Sequence, residues 1–338
     1  MVKVITVEDV KELLQRMTLK RFCLELIEQL KNDYARWPEF HKSPRHATHA
    51  PEGVIELMPI SDAKYYAFKY VNGHPGNPKQ HKQTVIATGQ LSSASNGYPL
   101  LISEMTLLTA LRTACTSALC SKYLTQKNPK TFGIIGTGAQ SEFQTLAHHF
   151  ALGVDHIFYF DTDPHAMDKF ANNLKSFPLQ LHRCKEGRSV VDQSDIITTA
   201  TAQQGHHQIL HADWVRPGCH LNKIGGDSPG KTELDPALVA KSKIVVELKE
   251  QTQVEGEIQQ LPPDHRPIYA ELWELVTKKK PGRTSKEEIT LFDSVGFALE
   301  DYSVLCLVYR LTEDYQLGRS LNLIPQPQDP KNLFGVIA

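Results

Sequence analysis

The stretch FGIIGTGAQSEF, residues Phe132 to Phe143, places an apolar strand directly before a glycine-rich turn and a predicted helix. Gly136, Gly138 and Ser141 occupy the small-residue positions of the G-x-G-x-x-G/A pattern. Gly136 permits a tight turn, and Gly138 lets the backbone approach a pyrophosphate closely. The helix that follows directs its free N–H groups and its dipole at the phosphate charge. This context predicts a dinucleotide-binding site of the Rossmann type.

An acidic residue follows the next predicted strand. The segment IFYFDTDP, residues 157–164, places Asp161 at the end of that strand, where a carboxylate can accept hydrogen bonds from both ribose hydroxyls of an adenosine. The same carboxylate would repel a 2′-phosphate, so we predict NAD rather than NADP as the cofactor. The alternative interpretation is a helix cap followed by an unrelated surface aspartate.

Strand and helix patterns alternate after about residue 128, which favours an α/β fold with a doubly wound parallel sheet. Before that point, from about residue 53, the hydrophobic period is two in VIELMPI, AKYYAFKYVN, TVIATGQL and YPLLIS. This second pattern predicts a smaller α+β domain. The strands predicted for the parallel sheet are Thr131–Ile135, His156–Phe160, Leu179–His182, Ile196–Thr201, His220–Ile224, Ile244–Leu248 and Ile289–Phe292.

Helical periodicity is predicted for Leu19–Arg36, Thr106–Leu124 and Phe297–Leu317. The apolar residues of the last helix need a partner, for which the smaller domain is the natural candidate. We therefore predict a discontinuous smaller domain of residues 1–125 with 305–338, and a Rossmann-type NAD-binding domain of residues 126–304.

Charge and composition exclude several classes of protein. The chain has 338 residues with 37 Lys+Arg against 38 Asp+Glu, a balance that excludes a dedicated electrostatic binder of nucleic acid or anionic membrane. No apolar run is long enough to span a bilayer, and the first residues lack a signal-peptide pattern, so we predict a cytoplasmic protein. The six cysteines and fifteen histidines lack metal-ligand spacing, and no metal site is expected.

Four charged residues outside the glycine-rich turn are candidates for chemistry. Asp227, in HLNKIGGDSPGKTEL, follows a predicted core strand at the sheet edge where ligands of parallel sheets bind. Lys69 lies centrally in a predicted strand, and Arg112 lies in a helix of small, mostly apolar residues; both need an anionic partner if buried. Together with Arg45 they would suit a carboxylate substrate. The plainer interpretations are a turn aspartate and three structural ion pairs.

Long motifs give the chain a resemblance to the ornithine cyclodeaminase/mu-crystallin family over nearly its whole length. The stretches GGDSPGKTEL and YVNGHPGN resemble the cyclodeaminase branch more than the crystallin or alanine dehydrogenase branches. The other motifs that carry the resemblance are VIELMP, ALRTACTSAL, IGTGAQSEFQ, FDTDP, EGEIQQLP and FDSVGFALEDY.

The resemblance implies a role for each matching residue. Arg45, Lys69 and Arg112 would hold the substrate carboxylate, Glu56 would orient the substrate amino groups, and Asp227 would be the catalytic acid/base. Lys69 and Glu56 would join Asp227 in the catalytic set. The residues implied for the cofactor are Thr84, Gly136, Gly138, Ala139, Gln140, Asp161, Thr201 and Ser294, with the backbone of Asn222, Ile224 and Gly225.

The resemblance also implies an activity, the conversion of L-ornithine to L-proline and ammonia, with NAD+ as a hydride carrier restored in the same turnover. It implies that the smaller domain binds substrate and forms a homodimer through its sheet. Five alternatives remain open at this point: an NAD-dependent amino-acid dehydrogenase, a ketimine reductase, a lysine cyclodeaminase, a non-catalytic binding protein of the crystallin type and a structural subunit with a vestigial nucleotide fold.

Overall fold

Two large sheets and one small sheet organise residues 1–202, 205–226, 228–265 and 267–337, the part of the chain that the computed structural model describes. The first part of the chain contains β1 (Val2–Ile5), α1 (Val7–Met17), α2 (Leu19–Ala35), β2 (His41–Lys42), β3 (His46–Ala50), β4 (Gly53–Ser61), β5 (Tyr65–Gly73), β6 (Ala87–Ser93), β7 (Pro99–Glu104) and α3 (Thr106–Leu124).

The remainder of the described chain alternates short strands with helices. Its elements are β8 (Thr131–Ile135), α4 (Ser141–Leu152), β9 (His156–Phe160), α5 (Pro164–Leu174), β10 (Gln180–Arg183), α6 (Gly187–Asp192), β11 (Ile196–Thr199), β12 (His206–Leu210), β13 (His220–Lys223), β14 (Thr232–Leu234), α7 (Pro236–Lys241), β15 (Lys243–Val246), α8 (Lys249–Glu255), β16 (Ile268–Glu271), α9 (Leu272–Val276), β17 (Thr290–Asp293), α10 (Ala298–Asp314) and β18 (Arg319–Leu321).

The first sheet has the order β18-β1-β7-β6-β5-β4-β2, with β3 also paired to β4. Strands β4 to β7 form an antiparallel meander, and β1 joins it parallel to β7. One face is covered by α10 and α3, and α2 packs on these two helices. Because side chains alternate along a strand, Ala67, Lys69 and Val71 of β5 all face these helices and are buried, as their shared face predicted. Tyr66 and Tyr70 lie on the opposite, uncovered face.

The second sheet is parallel throughout, with the order β10-β9-β8-β11-β13-β17-β15-β16. Strand β8 is third in this order. The chain adds β9 and β10 on one side of it and then the later strands on the other side, where β17 is inserted between β13 and β15. The order therefore reverses between β8 and β11. In open parallel sheets, ligands bind in the crevice at the carboxyl ends of the strands where this reversal occurs.

The predicted α/β fold with a parallel sheet is confirmed, and β8 and β9 have the predicted bounds. The other five predicted strands of this sheet are shifted or shortened by one or two residues. Strand β16 and the small β12-β14 pair were not predicted. The division between residues 304 and 305 falls inside α10 and stays a prediction.

Helices of the described residues are all too short or too polar to cross a membrane. The six cysteines lie among these residues as free thiols, four of them buried. No group of three or more His, Cys, Asp or Glu side chains in the described ranges is arranged to hold a metal ion.

Candidate functional site

A cleft lies where the carboxyl ends of β8, β11, β13 and β17 meet the helix-covered face of the first sheet, and it contains about 1340 Å³ of atom-free space, part of it open to solvent. It brings most of the predicted site residues together. Those that line it are Arg45, Glu56, Lys69, Thr84, Arg112, Gly138, Ala139, Gln140, Thr201, Ile224, Gly225 and Ser294.

Three predicted residues that the structure describes are not among those that line the cleft. Gly136 is in the glycine-rich turn and donates its N–H to the Phe160 carbonyl oxygen, Asp161 accepts from Thr137 of that turn, and the Asn222 side chain points into the protein core. Asp227 is outside the described residues. Its neighbours in sequence, Gly225 and Ser228, both line the cleft.

Gly136 and Gly138 of the turn differ in the space that a side chain would have at each position. Gly136 has φ +96°, and a Cβ there would lie 2.6 Å from the Ala200 carbonyl oxygen, so the backbone path itself requires glycine. Gly138 lines the cleft, and a Cβ there would meet no protein atom within 4 Å. Packing within the protein therefore does not explain the second glycine. The open space beside Gly138 would admit a pyrophosphate. At the N-terminus of α4 next to it, the Gln140 side chain makes no capping hydrogen bond.

Asp161 connects the turn to the end of β9. One carboxylate oxygen, Oδ2, accepts hydrogen bonds from the backbone N–H of Thr137 at 2.6 Å and from its hydroxyl at 3.1 Å. The other, Oδ1, accepts from the N–H of Asp163 at 2.9 Å. The acid thus lies where Rossmann-type folds hold the adenosine ribose. The backbone N–H donors of the turn and the carboxylate acceptor of Asp161 are the groups that a dinucleotide requires.

Two of the predicted cations share an acid on the first turn of α10. Lys69 Nζ lies 2.9 Å from Oδ1 of Asp301, and Arg112 Nε lies 3.1 Å from the same oxygen. Arg112 also donates to Glu300 at 2.6 Å. Both cations are more than nine-tenths buried and line the cleft. They are therefore in structural ion pairs and at the same time available to a ligand.

Arg45 joins the two walls of the cleft. Its Nη1 donates to Glu56 at 3.0 Å, and its Nε lies 3.3 Å from Glu255 of α8. Its Nη2 donates to the carbonyl oxygens of Val295 and Gly296, at 2.6 and 2.7 Å, in the loop after β17. The guanidinium is thereby fixed in one orientation with its side chain at the cleft.

Burial shifts the pKa values of this cluster. Removal from water and the nearby Arg112 charge together lower the pKa of Lys69 to about 8, although Asp301 opposes the shift. Removal from water also raises the pKa of Glu300 to about 8, against the influence of Arg112. At neutral pH, Lys69 is therefore still a cation and Glu300 is still protonated.

Two acids at the second sheet were missed by the sequence analysis. Glu247, directly after β15, is fully buried and accepts hydrogen bonds from the Ser294 hydroxyl at 2.5 Å and from the N–H of Gly296 at 3.1 Å. Burial raises its pKa. Glu233 of β14 binds the loops after β11 and β13. The only sequence signal for Glu247 was an acid within the otherwise apolar predicted strand Ile244–Leu248, which by itself does not identify a partner; Glu233 lies in TEL and had no such signal.

Asn222 belongs to a buried polar cluster between the second sheet and α3. Its Nδ2 donates to the Ser121 hydroxyl at 3.1 Å and lies 3.2 Å from Nε2 of His148. Burial lowers the pKa of His148 to about 4 and that of His220, which also contacts Ser121, to about 3, so both rings are neutral. The Asn222 side chain therefore points away from the cleft.

The parallel sheet, its glycine-rich turn at the point of reversal and the adjoining cleft define a Rossmann-type dinucleotide-binding fold with a second sheet at its carboxyl edge. A model described as "Ornithine cyclodeaminase/mu-crystallin family" matches residues 6–315. The chain belongs to this family.

Similar proteins include cyclodeaminases and a dehydrogenase. The ornithine cyclodeaminase of Agrobacterium fabrum (strain C58) is 48% identical over 333 residues, covering 98% of this chain and 94% of that protein. A lysine cyclodeaminase solved to explain recognition of L-lysine, L-ornithine and L-2,4-diaminobutyric acid has a TM-score of 0.93 at 28% identity, covering 99% of both chains. An archaeal alanine dehydrogenase dimer with bound NAD has a TM-score of 0.87 at 29% identity, covering 96% of this chain and 99% of that one.

The contrast between the two glycines of the turn generates a prediction. Gly138→Ala should leave thermal stability unchanged but weaken NAD binding by at least about tenfold, because the new methyl group fills the space that a pyrophosphate needs. Gly136→Ala should instead destabilise the fold by about 1–3 kcal/mol through its strained φ and its clash with Ala200. Thermal unfolding and NAD titration measure the two effects. Undiminished NAD affinity in the Gly138 variant would show that the space beside Gly138 is not where the pyrophosphate binds.

Proposed function

We propose that this protein is an ornithine cyclodeaminase, which converts L-ornithine to L-proline and ammonia with NAD+ as a recycled hydride carrier. The observation that carries the proposal is the convergence of a dinucleotide-type glycine turn and three buried cations on one cleft. The similarity to a bacterial ornithine cyclodeaminase over 98% of the chain supports the choice of substrate. Such a reaction would serve ornithine breakdown and proline supply.

Arg45, Lys69 and Arg112 would bind the substrate α-carboxylate. Their acid partners hold them before the substrate arrives, so little side-chain freedom is lost on binding. A carboxylate among them would form charge-assisted hydrogen bonds inside a cleft of low dielectric constant. Glu56, held by Arg45, is the described acid that would orient a substrate amino group.

The described residues fit a bound NAD. Gly138, Ala139 and Gln140 at the start of α4 would receive the pyrophosphate, and Asp161 the adenosine ribose. Thr84, Thr201, Ser294 and the backbone of Asn222, Ile224 and Gly225 would surround the remainder. When bound, NAD would supply reversible hydride acceptance at the substrate α-carbon.

Ring closure makes further demands on the protein. The substrate δ-amine must lie next to the α-carbon that it attacks, and holding both ends of ornithine in one cleft makes this step intramolecular. Water must be kept from the carbon while the α-amino group leaves as ammonia. We assign the proton transfers to Asp227 as general acid/base, on its sequence position between Gly226 and Ser228 at the carboxyl edge of the sheet.

The test is to incubate the protein with L-ornithine and NAD+ and to quantify proline, ammonia and NADH together. We expect equal amounts of proline and ammonia without net NADH. L-lysine and L-alanine are assayed in parallel: steady NADH accumulation would indicate a dehydrogenase, and faster turnover of lysine a lysine cyclodeaminase. Asp227→Asn should bind NAD normally but lose proline formation by at least about 10²-fold. Near-normal turnover in that variant would remove Asp227 from the role.

The pKa shifts predict how substrate binding depends on pH. As pH rises through about 8, Lys69 loses its positive charge and Glu300 gains a negative one. The first change removes an attraction for the substrate carboxylate, and the second adds a repulsion. The KM for ornithine should therefore rise above pH 8, by about tenfold per pH unit for each proton lost. Steady-state kinetics between pH 7 and 9.5 measure this, with NAD affinity in the same buffers as the control. A flat KM across that range would exclude titration of the cluster.

We further propose a homodimer formed through the uncovered face of the first sheet. Ile55, Leu57, Tyr66 and Tyr70 form an apolar patch there, each with 38–41% of its surface exposed. An alanine dehydrogenase of the same fold is a dimer. Leu57→Glu should shift the protein to a monomer in sedimentation analysis. Val254→Glu, a control at an exposed position of α8, should not. A parent protein that sediments as a monomer would refute the dimer.

A further inference from the structure

We propose that Glu233 is a positioning residue that holds two cleft loops, residues 200–202 and 224–226, in the shape that binds the dinucleotide. The inference rests on the proposed use of NAD. Glu233 is fully buried in β14 and is not among the residues that line the cleft in the described part of the chain. It therefore acts through the residues that it binds rather than on a ligand.

Both oxygens of the Glu233 carboxylate accept two hydrogen bonds. Oε1 accepts from the backbone N–H of Thr201 at 2.8 Å and from its hydroxyl at 2.5 Å. Oε2 accepts from the Thr199 hydroxyl at 2.8 Å and from the N–H of Gly225 at 3.1 Å. Thr199 is the last residue of β11, Thr201 lies in the loop that follows it, and Gly225 follows β13. One side chain thus connects the loops of two neighbouring strands at the edge where ligands bind.

Gly225 has no room for a side chain because of this carboxylate. A Cβ at residue 225 would lie 2.2 Å from Oε1 of Glu233. Its φ is not in the left-handed region, so the backbone path does not require glycine. The close approach of Glu233 does require it. The motif stretch GGDSPGKTEL therefore contains both members of one contact, eight residues apart.

A second acid fixes the position of Glu233. Oε1 of Glu257 accepts from the Glu233 backbone N–H at 2.8 Å, and Oε2 accepts from the N–H of Leu234 at 3.0 Å. The N–H of Glu257 in turn donates to Asp293, at the end of β17, at 2.9 Å. A chain of hydrogen bonds therefore connects β17, the EGEIQQLP segment, β14 and the two cleft loops.

Glutamine at residue 233 has nearly the same shape but cannot make these bonds. In either orientation, its NH2 group would face a backbone N–H, that of Thr201 or that of Gly225, and a backbone donor cannot reverse its role. One loop would lose its anchor and leave a buried donor unpaired. Since Thr201 and Gly225 both line the cleft, the shape of the cleft would change with them.

The first experiment compares Glu233→Gln with Asp195→Asn, measuring thermal stability without NAD and the dissociation constant for NAD. Asp195 is a matched control because it accepts N–H bonds from Lys130 and Thr131 at the opposite end of β11. Both variants should lower the melting temperature. Only Glu233→Gln should raise the NAD dissociation constant, by at least about tenfold. A change of less than twofold in that folded variant would overturn the proposal.

A second pair of variants decides the matter if Glu233→Gln does not fold. Thr199 donates to Glu233 but is not among the described residues that line the cleft, so its influence on NAD must pass through the carboxylate. Thr199→Val removes the donor, whereas Thr199→Ser keeps it. We expect weaker NAD binding, by about threefold or more, in the valine variant and parent-like binding in the serine variant. Equal NAD affinity in the two variants would overturn the proposal.

These measurements separate the inference from the proposed function. If the parent binds NAD but does not form proline from ornithine, the proposed function fails while the affinity series still tests Glu233. If the parent forms proline and the Glu233 and Thr199 variants bind NAD as the parent does, the positioning role fails alone. A parent that does not bind NAD would refute both.

Discussion

Burial of three cations beside one cleft is the constraint on which the rest of this structure depends. A buried ammonium or guanidinium is stable only with acids close by, and Asp301 satisfies this for two of them by binding both Lys69 and Arg112. The acid comes from α10, which therefore has to return from the second sheet and pack on the first. The position of α10 on the first sheet and the burial of Lys69 and Arg112 at the cleft therefore depend on each other.

Carboxylates elsewhere in the fold stabilise loops rather than cations. Glu233, Glu247 and Asp161 each accept N–H and hydroxyl donors from loops at the carboxyl edge of the second sheet. Loops at such an edge leave backbone donors without strand partners, and a buried donor without an acceptor is costly. Acids that accept several donors at once meet this need and fix the loop geometry. A rigid framework around an open cleft is the result.

The sequence predicted the parts of this arrangement that depend on local pattern. The glycine-rich turn between β8 and α4 identified the fold, and Lys69 and Arg112 stood out as charges in apolar surroundings. Their partner Asp301 did not, because the Lys69–Asp301 contact joins residues 232 positions apart and an acid near a helix start is ordinary. Glu233 escaped notice although Gly225 lies only eight residues away, because the sequence does not show that the two are in contact. Local pattern reveals a buried charge, but only the assembled fold reveals what neutralises it.

Arg45 has a consequence for motion as well as for binding. Its guanidinium donates to two carbonyl oxygens in the loop after β17 while its side chain belongs to the segment just before β3. Any hinge movement that parts the two sheets at this point must first break that pair of charge-assisted bonds. The arginine thus ties the two sheets together directly beside the cleft.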